Sequence, residues 1–406
     1  MSARRSWLST LRPGSVGLII LLGTLTTLGP LATDMYLPGL GAIEQDLHTH
    51  PGQGSLTVAV FFLGMAAGQL VYGPLSDRKG RRSPLLIGIA LYVLGCLASA
   101  LAPSFAALML ARIVTAIGGC SGVVIGRAIV RDHFDLEDSA RVFSRLMLVM
   151  GVSPILAPLF GGLLLSKGFS WRIIFLLLAG LGALTLIAVG ILLAESRSSD
   201  AAQAAAREKV VMSFHSVLRD PDALGYIITG AFNQSAISVY VAVSPIVLIG
   251  IYGIRPQDFG WIFGINGIGY IAASQLNVRL IRQHRPHTLL GGASRTVLVV
   301  ALLMLLCVIT GWGGLWGVLV PLFALMATLG FNMPNALACA FARDTNRVGA
   351  TSALMGATQF GVGTVAATLA SLAYDHSARP MAATIVVLVL AANLAFYTLA
   401  TRQRLI

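Results

Sequence analysis

The sequence predicts an all-α membrane protein with twelve transmembrane helices, arranged as two pseudo-symmetric six-helix halves with both chain ends in the cytoplasm. Three observations predict it. Of the 406 residues, 56% are apolar and only 11% charged, and a mean hydropathy of +0.82 lies far outside the range of soluble domains. Twelve apolar runs of about 20 residues each are long enough to cross a roughly 30 Å hydrocarbon core. One long polar interruption, residues 195–222, separates six runs from six.

In order, the runs fall at about 15–38, 55–75, 83–102, 106–130, 143–165, 171–194, 223–249, 257–280, 288–310, 314–341, 350–374 and 380–400. The division between the ninth and tenth rests on Gly311, Trp312, Gly313 and Gly314 as a tight turn. The interruption ESRSSDAAQAAAREKVVMSFHSVLRDPD links an N-terminal bundle, 1–194, to a C-terminal bundle, 223–406. A basic loop after the second run has a weaker echo after the eighth, VRLIRQHRPH, as a duplicated half would leave.

The formal charge of +12 raises the question of a nucleic-acid partner, and the positions of the cations answer it. Arg4, Arg5, Arg12, the 78–82 cluster, Arg131, Arg141, Arg145, Arg197, Arg207, Lys209, Arg219, Arg282, Arg285, Arg343, Arg347, Arg402 and Arg404 fall on one side of the expected membrane. Lys167, Arg172, Arg255 and Arg379 fall on the other. That asymmetry follows the positive-inside rule and places both ends in the cytoplasm. The first run is too long for a signal peptide and lacks an A-x-A cleavage pattern, so it is expected to stay attached. The four cysteines lie inside apolar runs without pairing or ligand spacing, and the seven histidines sit in loops or at helix ends. No metal and no cofactor are expected.

Residues 73–82 read GPLSDRKGRR, and five of the six positions from Asp77 to Arg82 are charged. Gly73, Leu75, Ser76, Asp77, Arg78, Gly80, Arg81 and Arg82 fit G-x-L-[AS]-D-R-x-G-R-[RK], which resembles the signature loop of the major facilitator superfamily. A solvated turn obeying the positive-inside rule is the competing reading; it explains the cations but not the acid or the flanking glycines. Gly73 and Gly80 are expected to turn the backbone, Asp77 to accept at a helix N-terminus, and the arginines to pair with Asp132 or Glu137. Together with Arg131, these residues form a candidate latch between the halves.

TDMYLPGL at 33–40, GQLVYGPLSD at 68–77, Arg131-Asp132 and WRIIF at 171–175 resemble the Bcr/CflA, or bicyclomycin-resistance, group of drug:proton antiporters. The resemblance implies proton-driven export of small amphipathic drugs from the bacterial inner membrane. In the fifth run, SPILAPLFGG at 153–162 is similar to the antiporter pattern G-x-x-x-G-P-x-x-G-G: Pro158, Gly161 and Gly162 match, whereas Ser153 and Ala157 stand where glycines are usual. Small residues and prolines there let a helix bend and pack tightly on the other half, and packing alone is the competing reading.

Of the sixteen acids, Asp34 is the one that falls inside a run, and an ionisable group at membrane depth points to function. Arg112 lies at a matching depth in the fourth run, in a stretch that resembles the family's span-four arginine motif, with Thr115 where glutamine is usual. An acid and a base at one depth are expected to meet. Burial and a neighbouring cation act oppositely on a carboxyl's proton affinity, so Asp34 is expected to carry the proton and Arg112 to tune it. A static ion pair fixing two helices is the alternative. Arg112, Thr115, Gly119, Gly122 and Gly126 share one helix face, expected to be close-packed and to line a cavity. In the C-terminal half the intramembrane polar groups are mostly neutral: Asn233, Gln234 and Tyr240 in the seventh run, Asn332 and Asn335 in the tenth, with Asn266 and Gln359 as lesser candidates. With Tyr36 they form an expected substrate wall, or else a set of interhelical bonds.

The leading expectation is therefore a monomeric, proton-coupled exporter of small amphipathic molecules that works by alternating access. Its partners would be a small-molecule substrate, protons and the lipid bilayer. An exporter or symporter dedicated to one metabolite keeps the fold and remains the alternative. A membrane enzyme is disfavoured, since the chain has no H-E-x-x-H, G-x-S-x-G or phosphate-binding G-x-x-x-x-G-K-[ST]. A non-transporting receptor would not need Asp34.

Overall fold

The computed structural model describes residues 16–133, 136–196, 210–343 and 348–400. The described helices are α1 (Val16–Asp34), α2 (Leu40–Asp46), α3 (Leu56–Lys79), α4 (Arg82–Ala100), α5 (Phe105–His133), α6 (Leu136–Ser166), α7 (Trp171–Leu192), α8 (Val210–Arg219), α9 (Pro221–Pro245), α10 (Pro256–Leu280), α11 (Pro286–Thr310), α12 (Gly314–Arg343), α13 (Val348–Leu372) and α14 (Arg379–Ala395). Ten described helical runs are long and apolar enough to cross a membrane. Beside them, α6 and α10 are helices of 31 and 25 residues.

Local sequence accounts for the ends. Ser170 caps α7 by accepting from the Arg172 N–H, and Asp220 caps α9 by accepting from the Asp222 and Ala223 N–H groups ahead of Pro221. Pro256 and Pro286 open α10 and α11, where a missing N–H costs nothing. Between α11 and α12 the backbone is left-handed at Gly311 (φ 71°) and Gly313 (φ 74°), so the expected turn is there, and a side chain at either position would be strained.

Three expectations need correction. The first run does not continue as helix to residue 38: α1 stops at Asp34, and the chain passes through a 3-10 turn, Leu37–Gly39, into α2. GPLSDRK is not a turn, because α3 runs through Lys79 and only Gly80 (φ 84°) and Arg81 separate it from α4. The polar interruption is not all linker either. Residues 197–209 lie outside the described residues, but α8 follows them and buries Val217 against Ala223, Ile227 and Leu290 of the C-terminal half.

Within the N-terminal half α5 is central. A Cβ at Gly122 would overlap the Leu25 carbonyl, so the small-residue face of α5 is the surface on which α1 lies, not the wall of an open space. Between the halves, α3 lies along α13 and α6 along α10. Phe62 stacks on Phe360 at 5.9 Å, and a Cβ at Gly162 would stand 2.6 Å from the Pro256 carbonyl oxygen. At the end remote from residues 78–82 the Ser55 and Ser371 hydroxyls are hydrogen-bonded, and Gly52 (φ 92°) lies under the Tyr374 ring.

Candidate functional site

Asp34 is the last residue of α1 and only 6% exposed. No hydrogen bond or ion pair joins its carboxylate to another described residue. Arg112 of α5 is fully buried, yet its guanidinium does not pair with Asp34. Nη2 donates to the Ala32 carbonyl at 2.8 Å, while Nε and Nη1 have no hydrogen-bond partner among the described residues. The physical reason is the break in α1. With the helix ended at Asp34, the Ala32 carbonyl lacks its i+4 amide, and the cation takes that place at the negative end of the helix. Counting depth along an unbroken helix put acid and base together; the structure puts the base two residues back, on the backbone.

The guanidinium is enclosed by aromatic faces: Tyr36 and Phe61 with ring centroids at 4.4 Å, and Phe175 at 5.4 Å. Tyr36 hydrogen-bonds Thr57 at 2.9 Å and packs on Phe175. It therefore belongs to the surroundings of Arg112 inside the N-terminal half rather than to an open wall. Gly161 touches the same break, because a Cβ there would overlap the Met35 carbonyl oxygen. Gly162 faces Pro256 and Pro158 is buried, so α6 contacts the Asp34 break with one glycine and the opposite half with the next.

The neutral polar side chains of the C-terminal half are hydrogen-bonded to one another in four groups. Asn233 donates to the Ser294 hydroxyl at 3.0 Å and to Asn332 Oδ1 at 3.3 Å, and Ser294 donates to the same oxygen at 3.0 Å. Asn335 donates to Asn277 Oδ1 at 2.7 Å. Asn266 donates to the Tyr240 hydroxyl at 2.9 Å, and Gln234 to the Tyr270 hydroxyl at 3.4 Å. The half-buried Gln359 contributes its backbone carbonyl to Ser235. These bonds join neighbouring helices, yet Asn233 Oδ1, Gln234 Oε1, Asn332 Nδ2 and Asn335 Oδ1 are buried without a hydrogen-bond partner among the described residues. Asn277, Ser294 and Tyr270 escaped the sequence reading because they lie outside the two polar stripes it followed.

At the basic end, Arg81 is the hub. Its Nε and Nη2 reach both Asp132 carboxylate oxygens at 2.7 and 3.2 Å, and Nη1 reaches Asp77 at 2.7 Å and the Ser76 hydroxyl at 2.9 Å. Burial works against the charge, but hydrogen bonds and field from Asp132, then Asp77, more than offset it and raise the arginine's pKa. Asp77 is thus at the C-terminal turn of α3, not at a helix N-terminus, and Gly73 sits inside α3 with no close neighbour at its Cβ position. Arg78 is exposed; the side chains of Arg131 and Glu137 lie outside the described residues. Glu195, just past α7, accepts from the Arg81 and Arg82 N–H groups at 2.7 and 3.1 Å and occupies the space a Cβ on Gly80 would need. The sequence offers no local sign of this contact, since Glu195 opens a stretch rich in both charge signs.

The chain matches the profile of the Major Facilitator Superfamily over residues 22–368. It is 34% identical over 390 residues to the uncharacterized MFS-type transporter YdgK of Bacillus subtilis (strain 168), covering 96% of both chains. It is 29% identical over 385 residues to the bicyclomycin resistance protein homolog of Haemophilus influenzae, covering 95% of this chain and 96% of that one. Among solved structures, a D-xylose-proton symporter superposes with a TM-score of 0.72 over 94% of this chain and 97% of its own, at 13% identity, which speaks to fold alone.

Proposed function

This chain belongs to the major facilitator superfamily as a multi-pass membrane transporter resembling the Bcr/CflA group, and on that premise we propose that it exports drugs or drug-like small molecules in exchange for protons. The observation that carries the reading is Asp34: a buried carboxylate at a helix break, paired with no cation among the described residues, at membrane depth. A group so placed takes up a proton when its surroundings open to one side and releases it when they open to the other. The basic side faces the cytoplasm, with the α6 and α10 helices completing twelve spans in a bacterial inner membrane, and the monomer is the working unit.

Coupling follows from contact. α6 touches the chain just beyond Asp34 through Gly161 and the opposite half through Gly162, so a rearrangement at the break is felt where the halves meet. The substrate lies between the halves, on a wall whose polar groups are the uncharged amides of α9, α12 and α13, which suits amphipathic molecules with few charges. The test is expression in an efflux-deficient bacterium. Wild type should raise resistance to several unrelated amphipathic compounds, and Asp34→Asn, though inserted in the membrane, to none; full resistance from Asp34→Asn would remove the acid from the mechanism. A wild type active on a single metabolite would favour the dedicated carrier.

A further inference from the structure

Arg112 presents an electrostatic problem. A cation stripped of water needs compensation, and breaking a buried ion pair by removing one partner costs about 3–5 kcal/mol. Had Arg112 been paired with Asp34, each protonation of the acid would have stranded the base. The structure shows a different arrangement. One hydrogen bond runs to the Ala32 carbonyl, and three aromatic faces from three parts of the fold close around the guanidinium: Tyr36 at the helix break, Phe61 of α3 and Phe175 of α7. Aromatic faces carry negative quadrupole charge and attract a desolvated cation.

We propose that Tyr36, Phe61 and Phe175 form a cage that holds the Arg112 cation in place of a counter-ion, leaving Asp34 able to gain and lose its proton without stranding that charge. The three are positioning residues, acting on the acid through the arginine. The consequence for Asp34 rests on the proton-coupling reading above, whereas the cage itself does not. The titratable groups that interact with the guanidinium are Tyr36 at the break and Tyr92 and Cys96 of α4, and Asp34 follows two residues after the Ala32 carbonyl that the guanidinium holds. Of these, only Asp34 offers a carboxylate. If the rings are removed, the cation has one buried acid to turn to, and ion pairing should make that acid harder to protonate.

Two measurements separate the parts. Thermal unfolding in detergent tests the cage: Phe61→Leu, which keeps apolar volume but loses the ring, should lower Tm by roughly 2 to 4 °C beside Arg112. The loss should be less than half as large in an Arg112→Met background, and Phe61→Tyr should restore wild-type Tm. Equal losses in both backgrounds would overturn the cage. Proton release on mixing purified protein with ethidium, followed against pH, tests the consequence. The Phe61→Leu/Phe175→Leu variant should release with its midpoint moved to lower pH by about one unit, a tenfold change in proton affinity. A folded double variant with the wild-type midpoint would overturn it. Absence of release from wild type would count against the proton-coupling reading and with it the consequence for Asp34, and the unfolding comparison would still decide the cage.

Discussion

At position 161 a side chain has no room, since a Cβ would overlap the Met35 carbonyl oxygen one residue beyond Asp34. Gly161→Ala must therefore push α6 away from the helix break or shift the break itself. Overpacking of this kind costs about 1–3 kcal/mol. Thermal unfolding should show that loss, and transport should fall further than stability does, because the displaced segment carries the acid. Gly180→Ala, at a glycine of α7 with open space around it, is the control and should leave both unchanged. Asp34 itself was legible in the sequence, as the one acid inside an apolar run. Its relation to Arg112 was not, because matching depths by counting residues presumes an unbroken helix, and nothing in TDMYLPGL marks the break except Pro38 and Gly39 beyond it.

The junction of α3 and α4 shows how exposure ranks interactions that look alike on paper. Arg81 touches two aspartates, but its side chain is 5% exposed, Asp132 is 17% exposed and Asp77 47%. Asp132→Ala removes the better-buried of the two acids and leaves Arg81 to Asp77 and Ser76, so it should destabilise by about 1.5–3 kcal/mol. Asp77→Asn loosens a half-solvated pair and should cost about 0–1 kcal/mol, seen as a small change in Tm with slower transport and unaltered substrate affinity. Because the folded pKa of Arg81 is raised, its contribution is fully present at ordinary pH and is lost only as pH climbs through that raised value. The pH dependence of transport should accordingly survive Asp77→Asn with its midpoint unmoved. Charge and spacing made this junction recognisable from the sequence. Glu195 was beyond reach because it lies 114 residues from Arg81 and only folding brings α7 back to that turn.

For the whole molecule, the all-helical membrane architecture, the split at Gly311–Gly314 and nearly every long helix were readable from hydropathy and turn residues, since a bilayer imposes length and apolarity on each span. The closure of the two halves was not readable, because it depends on which glycines meet which backbones. The halves meet through Ser55 and Ser371 at the end remote from the basic loop, so Ser55→Cys/Ser371→Cys should cross-link under oxidation and hold that end shut. Transport should stop in the oxidised protein and return on reduction; a cross-linked protein that still transports would mean that this end need not open. The proposed exchange of substrate for protons requires both that opening and a proton carried with it. The most direct measurement is therefore proton release from purified, weakly buffered protein on adding ethidium: wild type should release protons, and Asp34→Asn should bind the dye but release none, whereas release from Asp34→Asn equal to wild type would contradict the account.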